Sequence, residues 1–297
     1  MADLLGATPN APRKLRDLLA GHNPVVAPGA YDALSARLIE AAGFPAVYMT
    51  GFGTSASYLG RPDVGLMTMA EMVDQARRIA LAVDVPVIAD ADTGYGNPIN
   101  VIRTVRAYEN AGVAAIHIED QVMPKKCGHM EGKQVIPAEE MVEKVRAAIA
   151  ARTSPDFTII ARTDARAVEG FGAALDRCRR YRDAGADVIF FEAPQTEEEI
   201  AGVAAEFKGT PLMFNWAEGG KTPPVSLARL AELGYVIVIF PVSALLVASR
   251  AVQQALQAIR QGGTPQAIMD RMLPFPDFLD FIGLPEIRDL EQRFRTS

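Results

Sequence analysis

Short runs rich in Val, Ile and Phe recur along the chain, each ending in a polar or charged residue and each followed by a stretch of alanines, charges and spaced leucines. Eight such runs stand out, at residues 25–31, 46–51, 86–92, 114–120, 157–164, 187–193, 211–216 and 235–241. Most lack the apolar–polar alternation of a strand with one wet face, so they read as parallel strands covered on both sides. The pairs Ala42-Gly43, Ala111-Gly112, Ala184-Gly185 and Leu233-Gly234 stand a few residues before the next run, where glycine can end a helix. Eight strand–helix units predict an α/β fold of the closed (β/α)8 TIM type. A leading helix within 1–24, the barrel over 25–261 and a proline-punctuated helical tail over 262–297 make one domain, since no Ser/Gly-rich linker divides the chain. The segment 242–261 reads as the helix after the last strand.

With 297 residues, 49% of them hydrophobic, the chain can bury a core of that size. The net charge of −6 and the scatter of Lys and Arg exclude a nucleic-acid surface or an anionic-membrane surface. The longest apolar run, 236–248, is broken by Pro241 and Ser243 and is too short to span a bilayer, and residues 1–20 carry Pro9, Pro12, Arg13, Lys14 and Arg16 instead of a signal-peptide core. Two cysteines, Cys127 and Cys178, suit a reducing compartment, so the expected location is cytoplasmic.

In a parallel barrel every strand finishes at the same rim, so polar residues at strand ends converge however far apart they lie in sequence. Those residues are Tyr48 and Thr50, Asp90 and Asp92, Glu119 and Asp120, Arg162 and Asp164, Glu192, and Asn215. Asp90 and Asp92, two apart, are expected to face the same side of their strand. With Glu119 they form an all-oxygen cluster suited to a hard cation, Mg²⁺ or alternatively Mn²⁺. The competing reading of Asp92 and Asp120 is a helix cap or a turn carboxylate.

The segment Pro124-Lys125-Lys126-Cys127-Gly128-His129-Met130-Glu131-Gly132-Lys133 is long for a strand–helix loop and can open and close over the rim. Its cysteine, flanked by lysines and a histidine, is a candidate for proton or nucleophile chemistry, and the competing reading is a solvated basic loop. Cys178 falls in a helical segment and reads as packing. Gly51-Phe52-Gly53-Thr54-Ser55-Ala56 fits a dinucleotide fingerprint, but Gly60 and Pro62 are expected to delay the helix, and Glu71 and Asp74 fall inside a helix, not at a strand end. His117-x-Glu119 with Cys127 lacks the second cysteine of a zinc deaminase.

Taken together, these segments resemble the isocitrate lyase/phosphoenolpyruvate mutase superfamily. Lys125-Lys126-Cys127-Gly128-His129 is similar to the signature of its C–C lyases. The likeness extends through Tyr31-Asp32, Tyr48-Met49-Thr50-Gly51, Pro62-Asp63-Val64-Gly65-Leu66, residues 89–96, His117-Ile118-Glu119-Asp120-Gln121, Ala161-Arg162-Thr163-Asp164 and Asn215. Glu218-Gly219-Gly220-Lys221-Thr222-Pro223 leans toward its dimethylmalate lyases, with the methylisocitrate lyases close by. The resemblance implies Mg²⁺ held directly by Asp90 and through water by Asp92 and Glu119. It also implies a small di- or tricarboxylate held by Tyr48, Thr50, Gly51, Phe52, Asp63, Gly128, His129, Arg162 and Asn215. Methylisocitrate lyases carry a serine where Thr50 stands and a glycine where Phe52 stands, so the pocket floor here is more crowded.

The implied activity is cleavage of a substituted malate or a methylisocitrate-type 2-hydroxy acid to pyruvate, or a related 2-oxo acid, and a second carboxylate. Arg162 would face the developing negative charge, Cys127 would protonate the departing carbon, and Tyr48 or Glu192 would act as base. His129 would orient the thiol or bind the leaving carboxylate. The alternative within the superfamily is an oxaloacetate decarboxylase or hydrolase. A phosphonate mutase fits less well, because Cys127 stands where mutases have an asparagine-type residue, and so does a non-catalytic binding barrel. A homotetramer with an exchanged helix after the eighth strand is also implied.

Overall fold

A computed structural model describes Leu4, Leu5 and residues 10–295. The strands β1 (Val25–Ala30), β2 (Val47–Met49), β3 (Val87–Asp90), β4 (Ala115–Glu119), β5 (Thr158–Thr163), β6 (Val188–Phe191), β7 (Leu212–Asn215) and β8 (Ile237–Phe240) pair in parallel, in sequence order, and β8 closes onto β1. The structure thus bears out the closed (β/α)8 barrel. Each strand lies inside its predicted run, shorter by one to three residues at the ends. The β3, β4 and β5 residues are buried without exception, as expected of strands covered on both faces.

The helices are α1 (Ala11–Leu19), α2 (Ala33–Ala41), α3 (Gly51–Thr54), α4 (Met69–Ala82), α5 (Pro98–Asn110) and α6 (Ala138–Ala151). They continue with α7 (Phe171–Asp183), α8 (Glu197–Glu206), α9 (Leu227–Leu233), α10 (Ser243–Gly262), α11 (Phe275–Phe281) and α12 (Leu284–Arg293). Gly112 and Gly234 follow their helices at φ +88°, the left-handed conformation the sequence asked of them. Start signals are equally local: Asp32 and Ser35 form a reciprocal cap on α2, and Thr68 and Glu71 do the same on α4.

The hydrophobic interior has two parts. One lies between the strands and the surrounding helices. The other fills the barrel with Ala27, Tyr48, Ile88, Ala115, Ile160, Phe190, Met213, Ile237 and Ile239, and it includes Ala11 and Leu15 of α1. Leu15 is fully buried, so the leading helix, whose described part is α1, belongs to the barrel core. Residues 1–3 and 6–9 of the expected leading segment lie outside the described residues.

Two compact units divide the chain, one ending at Leu246 and one beginning at Val247. The second contains most of α10, a 3-10 stretch at Gln266–Arg271, α11 and α12. Val247, Leu256, Met269, Phe275 and Phe294 are more than half exposed, so this unit covers little of its own apolar surface.

The expected delay before a helix after β2 does not occur. Thr50 caps Gly53, α3 begins at once, and the chain passes into a π turn at Ser55–Leu59 that ends at Gly60 in the left-handed region. The dinucleotide reading still lacks its acidic partner, because Glu71 and Asp74 lie within α4.

Candidate active site

The strand ends deliver their polar side chains to one cavity. Tyr48, Thr50, Phe52, Asp63, Asp90, Cys127, Gly128, His129, Arg162, Glu192 and Asn215 line it, together with Lys125, Ala217, Pro241 and Val242. Its volume is about 50 Å³. Gly51, Asp92 and Glu119 adjoin this space without lining it. Gly51 packs so tightly on Asp90 that a Cβ would overlap the carboxylate.

The floor is aromatic. Tyr48 Oη lies 2.8 Å from His117 Nε2, and the His117 ring meets Phe190 edge-on at 5.6 Å. Burial, with help from Arg162 and Lys125, pushes the His117 imidazole down to about 4, so it is neutral near pH 7. Burial, reinforced by Asp90, holds the Tyr48 hydroxyl well above the usual tyrosine range. Tyr48, expected as a base, is therefore a neutral hydroxyl. His117 was not among the predicted site residues. The signal for it is the strand period: it lies two residues before Glu119 on β4 and opposite Asp90 in the β3–β4 register.

Asp92, and with it Asp63, meets a resident cation, Lys125. Lys125 Nζ is 2.7 Å from Asp63 Oδ2 and 2.7 Å from Asp92 Oδ1, and its side chain is 3% exposed. Burial opposes the ammonium, but Asp92, Asp63 and Asp90 outweigh burial and raise it well above the ordinary lysine value. Asp90 is pushed up by burial and pulled further down by His117, Lys125 and Arg162, so it is ionised. Asp92 is pushed up to about 7, by burial first and then by Asp90 and Asp63 against the pull of Lys125.

The expectation that Asp90 and Asp92 share a strand face fails for a local reason. β3 ends at Asp90, and Asp92 lies beyond it at φ +47°, where strand alternation no longer holds. The Asp92 amide donates to Asp90 Oδ1 at 2.9 Å. Tyr108 Oη on α5 pins the Asp90 carbonyl at 2.9 Å. Asp92 does not cap α5, which is the work of Asn97. Glu119 lies opposite Arg162 in the β4–β5 register and 3.3 Å from its Nε, and Gln121 Nε2 donates to it at 2.9 Å. Burial raises the Glu119 carboxyl well above the usual range despite Arg162. Among the described residues no three His, Cys, Asp or Glu side chains form a ready-made metal cage.

Arg162 is the positive centre of the other side. Its Nε meets Asp164 Oδ2 at 2.8 Å, Glu192 lies at 3.8 Å, and its guanidinium stands over the Phe190 ring at 5.1 Å. Asn215 Nδ2 donates to both Glu192 oxygens, at 3.1 and 3.3 Å, and Asn215 Oδ1 is buried without a partner. An orphaned acceptor beside an arginine is suited to a ligand hydroxyl.

The 125–133 loop is docked over these groups. The Cys127 amide donates to the Asp63 carbonyl at 3.2 Å. Lys126 closes a reciprocal amide pair with Gln121 and reaches the Gly132 carbonyl at 2.8 Å. His129 accepts the Lys221 amide on Nδ1 at 3.1 Å, so in its neutral form the proton is on Nε2, 3.2 Å from Glu192 Oε1. Gly220 approaches the His129 ring so closely that a Cβ would overlap it. Neither flanking lysine bonds the Cys127 thiol, contrary to the expected activation. Burial pushes the thiol up to about 11, more than the His129 amide pulls it down. Cys127 is consequently a protonated thiol, fit to donate a proton and poorly fit to attack as thiolate. Cys178 is buried in α7, and Asp120 is a structural carboxylate, accepting from Thr163, the Asp164 amide, Arg177 and Tyr181.

A closed parallel barrel whose C-terminal rim joins acidic side chains, a buried arginine and a loop-borne thiol defines a (β/α)8 enzyme acting on a small anionic substrate. The chain belongs to the phosphoenolpyruvate phosphomutase family, whose model matches residues 15–260, within the isocitrate lyase/phosphoenolpyruvate mutase superfamily. It is 51% identical to 2,3-dimethylmalate lyase of Eubacterium barkeri, over 97% of this chain and 99% of that one. It is 47% identical to 2-methylisocitrate lyase of Aeropyrum pernix, over 94% and 88%. Among solved structures it is similar to oxaloacetate acetylhydrolase in complex with the inhibitor 3,3-difluorooxalacetate, with a TM-score of 0.91, 38% identity and coverage of 96% and 98%.

Proposed function

We propose that this chain is a metal-dependent C–C lyase that cleaves a substituted malate, 2,3-dimethylmalate first among the candidates, to pyruvate and a second carboxylate. The observation that carries this reading is that Cys127 and Arg162 line one cavity, because cleavage leaves a carbanion that must receive a proton and burial favours the thiol form that can give it. Asp90, Asp92 and Glu119 would hold Mg²⁺ or Mn²⁺, and the all-carboxylate donor set suits a hard cation. Bound there, the metal would supply Lewis-acid chemistry that lowers the pKa of the substrate hydroxyl.

Arg162 pairs with a substrate carboxylate, and Asn215 Oδ1 and the neutral Tyr48 hydroxyl orient the polar groups between them. Glu192, held by His129 and Asn215, is the carboxylate placed to take the C2 hydroxyl proton. As that proton leaves, the C2–C3 bond breaks, C2 becomes the ketone of pyruvate, and the bonding pair stays on C3. Cys127 then gives its proton to C3, and the thiolate regains one from solvent. For 2,3-dimethylmalate the products are pyruvate and propionate, which account for every atom.

The test is a panel of 2,3-dimethylmalate, 2-methylisocitrate, isocitrate, malate and oxaloacetate, each with and without Mg²⁺, read by a coupled 2-oxo acid assay. Metal-dependent pyruvate from a substituted malate is the expected result. The similarity to oxaloacetate acetylhydrolase favours a second reading, for which oxaloacetate alone would react. The exposed apolar residues of the second unit support a homotetramer, to be read by sedimentation, and the sparse cysteines and the exclusion of membrane and nucleic-acid surfaces support a cytoplasmic enzyme.

A further inference from the structure

The loop and the arginine share one buried carboxylate. Asp164 Oδ1 accepts from Lys133 Nζ at 2.8 Å and from Arg162 Nη2 at 3.1 Å, while Oδ2 accepts from Arg162 Nε at 2.8 Å. Lys133 is the last residue of the loop, its side chain is 1% exposed, and it also donates to the Gly128 carbonyl. Gly128 lies against Arg162 and Glu192 so closely that a Cβ would overlap both. Asp164 is itself fixed from behind. Its amide donates to Asp120 Oδ1 at 2.9 Å, and Asp120 Oδ2 accepts from Thr163 and Tyr181 at 2.7 Å each.

Arg162 and Asp164 alone form a bidentate pair with no net charge, beside the carboxylates of Glu119 and Glu192. With Lys133 docked, its ammonium offsets one of these carboxylates and shares Asp164 with Arg162, so the guanidinium is freer to hold a carboxylate bound beneath the loop. We propose that Asp164 is a positioning residue that couples docking of the 125–133 loop to the anion affinity of Arg162, with Lys133 as the half of the latch that the loop carries. Coupling of this kind is reciprocal: a bound dicarboxylate holds the loop down as firmly as the loop holds the dicarboxylate. The inference rests on the carboxylate-substrate reading above, but its test needs no turnover.

The probe is oxalate with Mg²⁺, and the readouts are its affinity by calorimetry and the rate at which iodoacetamide alkylates Cys127 in the full chain, followed by mass spectrometry. Buried Cys178 reports the fold in the same spectra. In the unaltered protein, oxalate is expected to slow Cys127 labelling about tenfold. Lys133→Gln is expected to speed labelling without oxalate and to weaken oxalate binding, each by about tenfold, and Lys133→Arg to restore both. Labelling of the unaltered protein that ignores oxalate overturns the proposal, whether or not the variants fold. So does a folded Lys133→Gln in which either readout stays at its unaltered value. A chain that turns over none of the 2-hydroxy acids yet shows the coupling sinks the lyase reading alone.

Discussion

Cys127 carries the account at the scale of a single residue. Its sequence context, two lysines and a histidine within two positions, left proton and nucleophile chemistry both open, whereas the folded loop sends Lys125 to Asp63 and Asp92 and Lys126 to the Gly132 carbonyl. Burial then keeps the proton on sulfur up to about pH 11. Only the thiolate reacts with iodoacetamide, so alkylation of Cys127 is expected to rise about tenfold per pH unit from 7 to 10, with no plateau near the ordinary thiol value. A plateau below pH 9 would mean an activated thiolate. Cys127→Ser is expected to lower kcat by at least about 100-fold while oxalate binding with Mg²⁺ persists. Asp90→Ala is expected to abolish the metal dependence of that binding.

Lys125, Lys133 and His117 show why part of the site was not legible in the sequence. A lysine in a polar loop reads as solvated charge, and only the closed barrel brings Asp63, Asp92 and Asp164 to these ammonium groups. The carboxylates and Arg162 were legible because strand ends in a parallel barrel share one rim, whatever their separation along the chain.

Elements were legible where local chemistry dictates them. Runs of Val and Ile covered on both faces identified the strands, and stop glycines identified the ends of α2, α5, α7 and α9. What failed was the extrapolation of strand geometry past Asp90 and the expected delay before α3, both decided by backbone conformations just after a strand. Among the elements α1 has a role that its polar composition conceals, since Leu15 belongs to the core that fills the barrel. Leu15→Ala is expected to cost about 3 kcal/mol, read by urea unfolding, with kcat unchanged at temperatures where the variant is folded. A loss below about 0.5 kcal/mol would place α1 outside the cooperative core.

For the whole molecule, the barrel explains how residues from Tyr48 to Asn215 act as one site, and the loop after β4 supplies what the rim lacks, a proton donor. Family membership extends through the barrel and into α10, and the relatives named above act on different carboxylates, so the substrate is a matter of pocket shape. Phe52, Pro241 and Val242 are the bulk that shapes this pocket. The central claim is C–C cleavage followed by protonation of the departing carbon. Its most direct test is NMR of 2,3-dimethylmalate turnover in D₂O with Mg²⁺. The account predicts equal pyruvate and propionate, with one deuterium at C2 of the propionate and no products from Cys127→Ser. Absence of propionate, or an unimpaired Cys127→Ser enzyme, would contradict it.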